Sequence, residues 1–410
     1  MSTDVDVAIV GGGPAGAAAA HFLASAGRSV LVCERKHFPR EKTCGDGLTP
    51  RAIKMLEAMG LGPELARWER VRGLRAHGGG RTLELAFPEL DDWCDYGLVK
   101  PRRDLDALVL ERAEIAGAKV IWGAHVKRPL QHDGVCTGFV ASRDGLDEEV
   151  RAHWVVCAEG AATKMTAALG RARQPSYPMG LAIRQYFRSP LEHSGWFDAF
   201  LDVRAADDAL PGYGWAFPVG DGTVNAGVGL LSTFGGWRDV NLHVLQKGFL
   251  QSLPKDWEIG QHTACTRPRA GRLFMGASVW PPHGPGFVVA GDAAGMVNPC
   301  NGEGIAYGYE TGYMAARHID AALQGGSSVS LDGYSRDLRS TYEPYFRLGR
   351  RFVDLIGHPM VMERLVSMGM RSQRVMSFAL IMLANLEDRR THGARQRGFK
   401  VLKRLAELKP

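Results

Sequence analysis

Val5-Asp6-Val7-Ala8-Ile9-Val10-Gly11-Gly12-Gly13-Pro14-Ala15-Gly16 opens the chain as an apolar strand running into a glycine loop. The strand is apolar enough to be buried. Gly11 and Gly13 allow a tight turn and a close approach of backbone to a pyrophosphate, and Gly16 lets the next helix lie against the strand. The N-terminus of that helix offers free N–H groups to an anion. Pro14 takes the first helical position, where its missing donor costs nothing. Ala17 to Ala20 favour the helix and Gly27 ends it. Ser29 to Cys33 is a second strand, and Glu34 closes it about twenty residues after the glycines, placed for a ribose hydroxyl. The glycine pattern alone is weak; strand, helix, strand and acid in this order read as a dinucleotide-binding unit.

Outward from this unit, Arg35 to Thr49 is a loop carrying Cys44-Gly45-Asp46-Gly47, and Pro50 opens an amphipathic helix through Met59. Val71 to Phe87 reads as strands turning at Gly78-Gly79-Gly80. Leu105 to Ala116 has apolar residues at helical spacing, and Val120 to Trp122 is a short strand. Thr137 to Ser142 and Val150 to Ala158 form a hairpin or meander around Asp144-Gly145. Gly180 to Leu231 is strand and turn, a mostly antiparallel sheet whose clearest piece, Tyr213 to Leu230, turns at Gly220-Asp221-Gly222. Phe287 to Ala290 returns to a buried strand, a long helix follows from about Gly304, and the chain is helical from Leu331 onward.

With 410 residues, 45% hydrophobic and 23% charged, the chain has the balance of a globular protein with two to three domains' worth of core. No basic start with a cleavage site precedes the first strand, so no signal peptide is expected. The longest uncharged apolar run, Val375 to Leu386, is too short to span a bilayer. Seven scattered cysteines argue for a reducing cytoplasm, and no two cysteines or histidines have zinc-site spacing. The net charge of +6 gives no nucleic-acid signature, but ten basic residues face three acidic ones from Arg371 onward. That tail is either a solvated helical face or a basic surface for anionic lipid. The expectation is a cytoplasmic protein, peripheral on the inner face of the cell membrane.

Three further stretches carry chemistry. Arg102, just before Leu105-Asp106, would reach a nucleotide phosphate or the flavin side of it; alone it reads as a surface arginine beside a helix N-terminus. In Gly291-Asp292-Ala293-Ala294 the carboxylate of Asp292 would accept a hydrogen bond from a ribityl hydroxyl. Asn301-Gly302-Glu303-Gly304-Ile305 leads into a helix whose N–H groups would face the electron-rich end of an isoalloxazine ring. Gly304, Gly308, Gly312 and Ala316 give this helix a bare face for close packing against sheet or cofactor.

The glycine loop, Glu34, Cys44-Gly45-Asp46-Gly47, Arg102, Glu159-Gly160, Gly291-Asp292 and Gly302-Glu303-Gly304 resemble flavoproteins of the p-hydroxybenzoate hydroxylase fold. Within that fold, Cys44 to Pro50, Pro211 to Gly229 and Asn298 to Gly312 resemble the geranylgeranyl reductase family, most closely its actinobacterial menaquinone isoprenyl reductases. The resemblance covers about Val5 to Ala322. It implies non-covalent FAD and reduction of isolated double bonds in a polyprenyl chain, by hydride from flavin N5 plus a proton. It implies FAD contacts from Gly11, Gly13, Pro14, Ala15, Gly16, Glu34, Arg35, Cys44, Gly45, Asp46, Arg102, Asp292, Gly302, Gly304 and Ile305. The external reductant stays open between NAD(P)H, ferredoxin and a quinol.

Tyr213-Gly214-Trp215-Ala216-Phe217-Pro218 looks like the prenyl reductase signature; the flavin halogenases' Trp-x-Trp-x-Ile-Pro differs at two of these positions. On a strand Tyr213, Trp215 and Phe217 share one face. With the resemblance they become a wall of the substrate tunnel, stabilising a cation by cation–π attraction. Cys44, Tyr213 and Trp215 are the expected catalytic residues. Tyr213, Glu303, Tyr307 and water all stand open as proton donor, and Cys44 with Cys300 is a candidate redox pair. The expected fold is α/β. Its Rossmann-like FAD-binding domain is discontinuous (1–75, 100–175 and 268–330), a mostly antiparallel substrate domain is inserted (76–99 and 176–267), and a helical region closes the chain (331–410). The rival reading is an NAD(P)H-dependent aromatic or terpenoid monooxygenase of the same fold. A non-catalytic flavin or electron-relay protein is a third reading.

Overall fold

The computed structural model describes residues 3–205, 208–325 and 331–386. Strand β1 (Thr3–Val10) is the centre of a mainly parallel sheet. It pairs in parallel with β2 (Val30–Glu34) on one side and Leu146–Cys157 on the other. Lys119–Trp122 extends the sheet beyond β2, and Phe287–Val289 extends it beyond Leu146–Cys157. Buried on both faces, β1 must be apolar through Val7, Ala8, Ile9 and Val10. The turn at Asp144 (φ +52°) and Gly145 (φ +82°) joins Val135–Arg143 to Leu146–Cys157, the left-handed pair a two-residue hairpin demands. His125–His132 adds one more antiparallel strand, which the sequence pattern did not announce.

Helix α1 (Pro14–Ser25) crosses from β1 to β2 with Pro14 at its first turn. Gly27 (φ +81°) follows its end, as expected. The late helix, Ile305–Gly325, packs on α1 rather than on the sheet. A Cβ on Gly312 would stand 2.3 Å from Ala15 O, and one on Gly308 would stand 3.2 Å from Pro14 Cβ. Two faces of alanine and glycine meet here, so helix rather than sheet fits the bare stripe, while a Cβ on Gly304 would meet Asp292 Oδ1 at 3.0 Å.

The second sheet has the order Arg269–Phe274, Met179–Arg188, Thr223–Leu231, Gly212–Pro218, Phe197–Phe200, Gly73–Gly78, Arg81–Ala86. Only Phe197–Phe200 with Gly73–Gly78 is parallel. Two expected boundaries shift. Gly73–Gly78 straddles the one at 75, and Arg269–Phe274 falls after the one at 267 yet pairs with Met179–Arg188. Helix Leu242–Ser252 covers the outer face through Leu245, Phe249 and Leu250.

Helix Asp332–Ile356 buries Tyr334, Leu338, Tyr342, Tyr345 and Phe346 against the first core. Helices Pro359–Gly369 and Gln373–Leu383 then return to the second sheet, where Met370, Leu380 and Ile381 meet Ala76 and Leu85. No helix among the described residues is long and apolar enough to cross a membrane. Most of the basic tail lies beyond residue 386, outside the described residues.

Candidate active site

One cavity of about 850 Å³ runs from the first glycine loop, past the inner face of the second sheet, to the C-terminal helices. Its nucleotide end is built by close approach. Gly11 has φ +96°, and a Cβ on it would meet Ala158 O at 2.6 Å; one on Gly16 would meet Gly11 O at 1.9 Å. Gly16 therefore seats the helix and does not line the cavity. At Gly13 the nearest atom to such a Cβ is Arg40 Nη2 at 3.7 Å, leaving room for a phosphate at the start of α1. Glu34 accepts from Gly12 N–H at 2.8 Å and Lys36 N–H at 2.9 Å, which fixes its carboxylate beside the loop.

Arg102 grips the buried Asp106 with two bonds, 2.6 and 2.8 Å, and Arg40 Nη1 adds a contact at 3.0 Å. Arg40 Nε also lies 4.0 Å from Glu34 Oε1, so the two guanidiniums answer two carboxylates and stand fixed at the cavity wall. Arg40 was missed in the sequence; its signal was a cation a few residues beyond Glu34. The cradle suits a diphosphate: backbone space, a helix N-terminus, an acid for ribose and two positioned guanidiniums.

The other end is made by the strand Gly212–Pro218. Its period of two sends Tyr213, Trp215 and Phe217 to the cavity, while Gly214 and Ala216 face Leu242–Ser252. A Cβ on Gly214 would lie 2.2 Å from Phe249. Gly227 on the neighbouring strand makes room for Trp215, whose Cζ2 would stand 2.4 Å from its Cβ. The ring centroids are 5.9 Å apart for Tyr213–Trp215 and 6.4 Å for Trp215–Phe217. Against them lies the Cys44 loop: a Cβ on Gly45 would be 3.2 Å from Phe217 Cε2. Tyr213 donates to Asn301 O at 2.8 Å, tying the wall to the Gly302–Gly304 loop. Cys44, Arg35, Asp292, Gly302, Gly304 and Ile305 all border the same cavity.

Asp46 does not border it. In left-handed backbone (φ +66°) its carboxylate turns inward, accepting from Arg102 N–H (3.1 Å), Asn225 Nδ2 (2.6 Å) and the Tyr186 hydroxyl. Burial pushes this carboxyl up to about 6 against those donors. Its neighbour Asn225 also donates to Cys44 O at 2.8 Å and accepts from Trp215 Nε1 at 3.1 Å. Asn225 is thus the residue that fixes loop to wall. A buried asparagine in an apolar strand was the signal for it.

Glu303 and Tyr307 also turn away from the cavity. Glu303 accepts from the Thr49 hydroxyl, and burial raises its carboxyl to about 7. Tyr307 accepts from Asn298 Nδ2 and Asn385 Nδ2 at 3.3 and 3.1 Å. Cys44 and Cys300 are both free thiols. Cys44 Sγ accepts from Asp46 N–H at 3.3 Å, whereas Cys300 Sγ lies where a Cβ on Gly349 would approach it at 3.0 Å. Burial pushes Cys300 up to about 12 and raises Cys44 too, so both stay thiols.

The cradle and parallel sheet define a flavoprotein, and an FAD binding domain family matches residues 4–202. The menaquinone reductase of Mycobacterium tuberculosis (strain ATCC 25618 / H37Rv) is 37% identical, covering 100% of this chain and 99% of its own. The chloroplastic geranylgeranyl diphosphate reductase of Arabidopsis thaliana is 28% identical over 83% of this chain and 72% of its own. Among solved structures, a geranylgeranyl bacteriochlorophyll reductase-like protein from Thermoplasma acidophilum superposes with TM-score 0.81. It is 20% identical and covers 98% of this chain and 100% of its own, a likeness of fold. The halogenase CndH shares that fold at TM-score 0.72 and 20% identity, covering 98% of this chain and 97% of its own. This chain belongs to the geranylgeranyl reductase family of flavoproteins, on the side of the menaquinone reductases. It is an FAD-dependent oxidoreductase.

Proposed function

We propose that the chain saturates isolated C=C bonds in the polyprenyl side chain of a quinone, menaquinone first and another prenyl lipid second. The observation behind this is the three-ring wall facing the Cys44–Gly45 loop. Beyond it the cavity continues as an apolar channel past Met362, Val366, Met376 and Leu383.

Gly11, Gly13, Pro14, Ala15, Glu34, Arg35, Arg40, Arg102, Asp292, Gly304 and Ile305 are the residues that would hold FAD, which supplies hydride when reduced. One alkene carbon gains that hydride and the other a proton. Trp215 and Phe217 exclude water and face developing positive charge on the substrate carbon. Of Tyr213, Glu303 and Tyr307, Tyr213 alone lines the cavity; burial raises its phenol, so it keeps a proton at Oη. We assign it the place of proton holder beside the alkene. Lys42, Lys164, Arg269 and Arg272 border the cavity with no carboxylate partner among the described residues, a rim suited to an anionic nicotinamide donor.

The test is anaerobic. Flavin reduced by dithionite is mixed with menaquinone, and reoxidation is followed alongside product mass. Reoxidation with two hydrogens gained on the prenyl chain supports the reading. Reduced flavin that persists until oxygen arrives, with a product heavier by one oxygen, supports the monooxygenase instead. NADPH in place of dithionite then tests the donor.

A further inference from the structure

Five of the nine exposed large hydrophobic side chains among the described residues fall between Leu355 and Val375: Leu355, Met360, Leu365, Met368 and Val375. Two of them, Leu365 and Val375, also line the cavity, so this stretch of chain reaches from its C-terminal end to the surface. Helix Pro359–Gly369 explains the arrangement. Its inner side gives Met362, Leu365, Val366 and Gly369 to the cavity. Its outer side carries the row Met360, Arg364, Met368 at a spacing of four, with Met360 73% and Met368 68% exposed. A helix apolar on two sides is ordinarily buried on both. Among the described residues nothing covers Met360 and Met368, and Arg364 in that row and Arg371 and Arg374 just after the helix are exposed without a carboxylate partner among the described residues. Glu363, the acid on that helix, is already paired with Arg204 at 2.6 Å.

We propose that this rim docks on an anionic lipid bilayer, so that the prenyl chain passes from membrane to tunnel without crossing water. The inference rests on the lipid-substrate reading for its purpose. The surface chemistry stands apart from it. Methionines and a valine enter the acyl boundary while guanidiniums meet lipid phosphates, the pattern of an interfacial helix. The docking face is therefore the outer row of helix Pro359–Gly369 with its flanking arginines.

The FAD-loaded full chain is floated with vesicles of phosphatidylcholine, with and without phosphatidylglycerol. Flotation with the anionic vesicles is expected, and M360E/M368E should lower the bound fraction at least tenfold. Neither residue lines the cavity, so flavin content and turnover of a short, detergent-dispersed prenyl quinone should persist. R364Q/R371Q/R374Q should erase most of the preference for phosphatidylglycerol; it also serves where the methionine variant fails to fold. Wild-type protein that ignores both vesicles, or M360E/M368E that floats unchanged, overturns the proposal. So does a dimer that M360E/M368E turns to monomer without any vesicle binding, or flotation gained only when residues 387–410 are removed. Flotation with no reduction of any prenyl substrate would instead sink the proposed function and leave the docking face standing.

Discussion

Replacing Asn225 with leucine tests the link between the cofactor loop and the substrate wall. The change keeps bulk and removes three hydrogen bonds: to Cys44 O at 2.8 Å, to Asp46 Oδ2 at 2.6 Å and from Trp215 Nε1 at 3.1 Å. The bond to a carboxylate is worth about 1.5–3 kcal/mol, and an orphaned buried indole N–H costs about 1–3 kcal/mol. Such losses in one network do not add fully, so about 3–5 kcal/mol is expected. Against a typical stability of about 5–15 kcal/mol this is large but survivable. Asp46, at about 6, loses a donor that holds it down and moves higher. Denaturant midpoints of wild type and N225L, read with FAD content and single-turnover flavin reoxidation, check this. The variant should unfold earlier and turn over more slowly even where FAD is retained. A shift below about 0.5 kcal/mol with unchanged turnover would refute the coupling of loop to wall.

Gly16→Ala should yield protein without bound flavin, because the new Cβ falls 1.9 Å from Gly11 O; the visible spectrum of purified protein reads this. Glu303→Gln should alter the pH dependence of stability. Burial raises the folded carboxyl to about 7 from 4.5, so its contribution is full below 4.5 and is lost as pH rises through 7. That share is worth up to about 3 kcal/mol. The variant should thus gain on wild type between pH 5 and pH 8 in urea melts, and parallel curves would count against the buried carboxyl. Tyr213→Phe should keep FAD and lower the single-turnover rate about 10²-fold, the scale of a lost proton-transfer group; an unchanged rate and solvent isotope effect would remove Tyr213 from that role.

The contacts that shape the opening unit are mostly local, which is why it was legible. Pro14, Gly27 and Glu34 each answer to a neighbour within the β1–α1–β2 unit, whereas Gly11 also makes room for Ala158 at the end of a distant strand. Asp46 shows where local reading fails. Its motif puts it near the cofactor, but its carboxylate is claimed by Tyr186 and Asn225, 140 and 179 residues away. Glu303 turns from the cavity for a similar reason, drawn to Thr49 254 residues earlier. The glycine stripe of the late helix fixed how close a partner comes, not which partner. At helical spacing nothing marks Met362, Val366 and Met376 as cavity wall rather than core; only the return of the last helices onto the second sheet places them there.

The strand pair Gly212–Pro218 and Thr223–Leu231 then has a task neither motif announces. Tyr213 donates to Asn301 O in the loop before the late helix, and Asn225 donates to Cys44 O in the loop after β2. These are the loops that flank the expected flavin ring, and they belong to opposite ends of the first domain's sequence. One hairpin therefore holds both by a backbone carbonyl and places the aromatic wall between its two grips. On the proposed reading, that hairpin and not either loop alone sets the distance from hydride source to alkene. A family that changes substrate while keeping FAD can do so by altering the rings between the grips, provided the two hydrogen bonds survive.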